Sequence, residues 1–171
     1  MFKKCFLLIS FLFCSGFFFS MGHSVDGRHL LEELVFLQDV DGASLFVADS
    51  CDPYVLYNLI EGTSRLHGMN LIGISSMTFE SHKVIDVFFK FLSEHGISPK
   101  PLIEHQDFFG MNALMSAVEQ GDDKMVEVLV RHYGDLLGLL DAKNGSGKNV
   151  FQIFEISRRR YEKLGCEFMA N

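Results

Sequence analysis

The stretch that decides the fold is "FFGMNALMSAVEQGDDKMVEVLV", residues 108 to 130. Two helical patterns lie in it, each with its own punctuation. After Gly110 and Asn112, the apolar side chains of Ala113, Leu114, Ala117 and Val118 fall on one face of a short helix. Gly121 and Asp122 break the pattern. A second helix then carries Met125, Val126, Leu129 and Val130 on its inward face and closes on Gly134. A short helix, a break, a longer helix and a closing glycine form a unit too small to bury its own apolar face. Such a unit is stable only when stacked against copies of itself.

Copies are present. A glycine followed two residues later by a small polar residue, then by an apolar pair, occurs as "GASLF" at Gly42, "GMNLI" at Gly68, "GMNAL" at Gly110 and "GKNVF" at Gly147. Three of the four read Gly-x-Asn. Asp or Asn near Gly is turn chemistry, because both tolerate tight backbone geometry. The unit from Gly68 repeats the pattern further. "MNLIGISSMTF" is its first helix and "SHKVIDVFFKFLSEHG" its second, closing on Gly96. Lys-Val-Ile-Asp-Val-Phe at 83–88 overlies Lys-Met-Val-Glu-Val-Leu at 124–129. The Gly42 unit runs through "SLFVADSCDPYVLYNLIEG", with Pro53 opening its second helix, where proline is tolerated. "KNVFQIFEISRRRYEKLG" closes the series.

This arrangement resembles the ankyrin repeat, over roughly residues 39–166 and best at 107–134. The resemblance implies an all-α fold, a short solenoid of about four helix-turn-helix repeats with hairpin-type loops. Its units start near 39, 66, 107 and 144, within a repeat domain at 39–171. The family's turn usually carries Thr-Pro-Leu-His. Here Asn112, Ala113 and Met115 stand where Thr, Pro and His would be, so the hydrogen bonds of that Thr–His pair are missing and modest stability is expected. The glycine spacings are 26, 42 and 37, against about 33 in the family. The long second interval implies an extended loop at 96–107 containing Pro99 and Pro101. Residues 26–38 repeat the apolar spacing of a second helix, and 23–38 are expected to form an N-terminal capping helix.

The first residues have a different character. Lys3 and Lys4 precede an apolar run from Cys5 to Phe19, followed by Ser20, Met21 and Gly22. This is the pattern of a secretory signal peptide over residues 1–22. It sends the protein out of the cytoplasm, to the periplasm or beyond. Phe13 before Cys14 argues against lipidation. An uncleaved membrane anchor at 5–21 is the alternative, and contact with a membrane is expected only in that case. The remainder, with 48% hydrophobic and 22% charged residues overall, has the balance of a globular chain. The formal charge is −7; losing Lys3 and Lys4 leaves 13 basic residues against 22 acidic ones, or −9. Such a chain repels phosphate backbones, so nucleic acid is not expected as a partner. Cys51 and Cys166, in the first and last units, are too far apart for a disulfide on this reading.

No arrangement of residues announces catalysis. "NGSGKN" at 144–149 falls short of a phosphate loop: Ala142 stands where the Walker pattern has its first glycine, and Asn149 where it has Ser or Thr. The histidines form no zinc spacing. His95 and His132 fall in the last turn of second helices, where capping is the ordinary role. The reading is a non-catalytic protein-binding module without metal or cofactor. Its candidate contact residues are Phe108 and Phe109 at a loop tip, with Met111, Met115 and Glu119 on the neighbouring concave face. Aromatics are enriched among interface anchors. The alternatives are a small enzyme or ligand carrier with the 96–107 loop as a lid, or a membrane-anchored structural protein.

Overall fold

The computed structural model describes residues 27–48, 52–64, 67–78, 80–134 and 136–164. Residues 1–22, where a signal peptide or anchor is expected, the start of the expected capping segment, Cys51 and Cys166 lie outside these. Among the described residues there are ten helices and no strand, so the fold is all-α. None of these helices is long and apolar enough to cross a membrane.

In chain order the helices are α1 (Gly27–Leu37), α2 (Val40–Ala48), α3 (Pro53–Glu61), α4 (Leu71–Ser75) and α5 (His82–Glu94), then α6 (Lys100–Glu104), α7 (Ala113–Gln120), α8 (Asp123–Tyr133), α9 (Leu137–Asp141) and α10 (Val150–Lys163). They pack with a period of three. One row runs α1, α4, α7, α10, each helix against the next; a second row runs α2, α5, α8. The remaining short helices fill the seam: α3 touches α1, α4 and α5, while α6 touches α4, α7 and α8.

The local reasons are in the caps. In each of the three Gly-x-Asn sequences the asparagine is the N-cap of a first-row helix. Asn70 Oδ1 accepts from Gly73 N at 2.9 Å, Asn112 Oδ1 from Met115 N at 2.9 Å, and Asn149 Oδ1 from Gln152 N at 3.1 Å. Each bond satisfies an amide that the helix start would otherwise leave open. Gln152 returns the bond to Asn149 N at 3.0 Å, closing a capping box. Gly121 ends α7 in the left-handed conformation, and Asp122 at once caps α8 through Met125 N.

The rows explain the burial. In α8 only one stripe is buried: Met125, Val128, Leu129 and Tyr133. In α7 six consecutive residues, Ala113 to Val118, are buried, because α4, α8, α6 and α10 all pack on it. A helix enclosed on most sides is apolar nearly all round. Phe88 and Phe89 of α5 are fully buried at the centre of the core. The third helices are tied in by a recurring bond. Asn70 Nδ2 donates to the Leu102 carbonyl of α6 at 2.7 Å, and Arg28 Nη1 donates to the Leu59 carbonyl of α3 at 2.8 Å.

Three sequence expectations are corrected here. Gly42 is not at a turn; it lies inside α2. The chain turns instead at Gln38, whose φ is +56°, and Asp39 then receives Gly42 N at 2.8 Å. A Cβ on Gly42 would lie 2.5 Å from the Asp39 carboxylate and 2.9 Å from Leu34. This glycine serves a tight approach of α2 to the end of α1. Second, α1 stands in the row of α4, α7 and α10, not in the row of the second helices, because Leu31, Leu34 and Val35 are its buried side chains. Third, 96–107 is not an open loop. It contains α6, and Leu102 and Ile103 are in the core.

Candidate interaction surface

Three loop tips line one edge of the molecule, before α4, α7 and α10. The second and third are built alike. Asp107 Oδ1 accepts from Phe109 N and Met111 N, both at 2.8 Å; Asn144 Oδ1 accepts from Ser146 N and Lys148 N, both at 3.0 Å. Asp107 N and Asn144 N donate to the carbonyls of Met111 and Lys148, each at 2.9 Å. Gly110 and Gly147 turn the chain at φ +71° and +74°. A short polar side chain folds the turn and a glycine supplies the left-handed residue. The amides of Asn144, Ser146, Gly147 and Lys148 in "NGSGKN" are thus engaged within the turn itself.

Successive tips are joined backbone to backbone. Phe108 N donates to the His67 carbonyl at 3.0 Å, and Gly145 N donates to the Phe109 carbonyl at 2.7 Å. His105 Nε2 donates to the Gly68 carbonyl at 2.7 Å. The main chain of Phe108 and Phe109 is therefore held on both sides. Their rings are not covered: Phe108 is 73% exposed and Phe109 62%. The side of the Phe108 ring closes over Gly68, where a Cβ would come within 2.5 Å of it. The Phe109 ring lies 6.4 Å from that of His67. Leu102 and Ile103, the apolar residues close by in sequence, are committed to the core and do not shield the pair.

Behind the tips lies an open groove of about 620 Å³. Phe108, Phe109, Met111 and Glu119 line it, so the structure brings four of the five candidate residues together. Met115 is not among them. It is 0% exposed, on the side of α7 that faces the core. Sequence reasoning missed His67, Met69 and Met77, which also line the groove. For Met69 the signal was present, since it follows Gly68 as Met111 follows Gly110. Met111 is partly buried, and its sulfur receives Asn144 Nδ2 at 3.4 Å. Glu119 is 39% exposed and faces Arg160 of α10 at 3.7 Å.

The second row of helices carries another polar arrangement. Asp86 of α5 receives Lys90 at 2.7 Å, His132 Nε2 at 2.8 Å and Arg131 at 3.3 Å, the last two from α8. Burial acts most strongly on this carboxyl and would raise its pKa. The hydrogen bonds and charges of Lys90 and His132 together outweigh it and hold the pKa below the ordinary aspartate value. His132 thus ties two helices together and does not cap its own; His95 does cap, with Nδ1 on the Phe91 carbonyl at 2.8 Å. Among the described residues no group of three His, Cys, Asp or Glu side chains is placed to hold a metal ion.

No family model matches the chain. No curated protein matches it. Solved structures do. A chain in the crystal structure of the yeast ribosomal protein Rps3 in complex with its chaperone Yar1 is similar at a TM-score of 0.64. It is 13% identical, over 83% of this chain and 91% of that one. At that identity the likeness is one of fold.

Proposed function

We propose that this chain is a non-catalytic binding module of ankyrin-like repeats, which holds a segment of another protein in the groove between its loop tips and its first-row helices. The observation that carries the reading is the state of Phe108 and Phe109: fixed main chain, open rings. A rigid turn presenting two aromatic rings suits an anchor, since little conformational freedom is lost when a partner arrives. Exposed apolar patches of this kind tend to mark contact sites. Met69, Met77 and Met111 add side chains that adapt to an incoming surface. The recognition makes and breaks no covalent bond and calls for no cofactor.

The place of action on this reading is outside the cytoplasm, reached through residues 1–22; the intact mass of the mature protein tests the cleavage. The binding itself is tested by cross-linking the tagged full chain in its native cell, beside a chain carrying Phe108→Ser and Phe109→Ser. A protein captured by the first and lost from the second is the expected result. Identical captures, with both chains folded, remove the two rings from the interface.

A further inference from the structure

We propose that the segment this groove accepts carries a Lys or Arg beside apolar side chains; the inference rests on the binding reading above and adds the chemistry of the partner. The groove has two unlike sides. The tip side carries the apolar Phe108, Phe109, Met69 and Met111, set among the uncharged Asn144 and Ser146. The side formed by the end of α7 presents the carboxylate of Glu119. Asp107, at the base of the tip, is buried and folds the turn, so Glu119 is the carboxylate the groove offers. None of the lining residues is Lys or Arg, and the chain as a whole has a formal charge of −7. An acidic segment entering here meets the Glu119 carboxylate and, at a distance, a chain of net negative charge. A basic one is steered inward and paired on arrival.

The molecule itself shows where the cation goes. Arg160 reaches over from α10 and presents its guanidinium to Glu119 at 3.7 Å, too far for a hydrogen bond. Arg160 is 57% exposed, and an open pair of this kind holds weakly. A partner's ammonium or guanidinium can take the place of Arg160 at Glu119 while its apolar neighbours lie against Phe108, Phe109 and the methionines. Arg160 is then a competitor that lowers affinity until it is displaced.

The experiment follows methionine methyl signals in NMR spectra of the full chain. Met69, Met77 and Met111 report the groove; Met115 and Met125, both buried, report the core. The probes are acetyl-Leu-Lys-Leu-Lys-Leu-amide and its counterpart with Glu in place of Lys. The Lys peptide is expected to move the groove methyls saturably and leave the core methyls in place. Glu119→Gln is expected to weaken that binding, and Arg160→Ala to strengthen it, each by roughly threefold, the worth of an exposed ion pair. Added salt should weaken the Lys peptide alone. Equal binding of the Glu peptide, or indifference to both substitutions, overturns the charge assignment and leaves the binding reading standing. If neither peptide moves the groove methyls at millimolar concentration, the proposed chemistry is wrong, and the cross-linking comparison decides separately whether the groove binds protein at all.

Discussion

Phenylalanine occurs 18 times in this chain, and position alone separates its roles. Phe88 and Phe89 are fully buried; Phe108 and Phe109 are open. Phe88→Ala should cost about 3–5 kcal/mol, because it removes transfer energy and leaves a cavity. Phe108→Ser with Phe109→Ser should cost less than about 1 kcal/mol, in the range of surface substitutions. Urea unfolding of the three chains measures both. A large loss in the double variant would show that the tip rings support the fold. Asp86 supplies a second test. Its folded pKa lies below its unfolded value, so its contribution is present above the unfolded pKa and lost as pH falls through the folded one. Below about pH 4 the native chain should therefore lose stability more steeply than Asp86→Asn, followed by thermal unfolding at a series of pH values. Parallel curves would mean that the carboxylate contributes no net linkage. The sequence showed Phe108, Phe109, Met111 and Glu119 as candidates because turn and helix patterns are local. It misplaced Met115, because the patterning of α7 alone does not reveal how many helices pack on it.

At the scale of the element, the repeating unit is a tip plus three helices, and the tips depend on one another. Gly110 and Gly147 share a left-handed conformation, yet their surroundings differ. A Cβ on Gly110 would lie 2.6 Å from the backbone nitrogen of Gly145, in the next tip. On Gly147 it would meet nothing within 4 Å. Gly147→Ala should cost about 1–2 kcal/mol, the conformational term alone. Gly110→Ala should cost clearly more, since two backbones must separate. Equal losses in calorimetry would argue that the tips are independent. The third helix of the unit was legible but unread. Leu59-Ile60-Glu61, Leu102-Ile103-Glu104 and Leu139-Leu140-Asp141 recur ahead of the three tips, ending α3, α6 and lying in α9. Ile60, Leu102, Ile103 and Leu139 of these motifs are buried. These motifs carry no turn glycine of their own, and Pro99 and Pro101 give α6 the composition of a loop. Both prolines are in fact compatible with a helix start, where no amide is needed.

In the whole molecule, contacts run mainly between neighbouring units, so stability should be graded along the stack. Amides of α5 and α7, which have helices on both sides in their rows, should exchange most slowly. Those of α2 and α10, at the ends of the described rows, should exchange faster; hydrogen-exchange mass spectrometry reads the difference directly. Uniform protection would mean that the chain opens only as one block. Sequence by itself determined the strongly periodic helices such as α5, α7 and α8 and the three Gly-x-Asn turns, because these follow from side chains and backbone within a few residues of each other. Tertiary structure alone decided the rest. The place of α1 in the first row depends on whether Leu31, Leu34 and Val35 find partners in α3 and α4. The role of Gly42 depends on how closely α2 approaches Leu34. The burial of Met115 and the exposure of Phe108 and Phe109 depend on which surfaces the neighbouring units occupy. Propensity acts along the chain, whereas burial is settled by residues distant in sequence that the fold brings alongside.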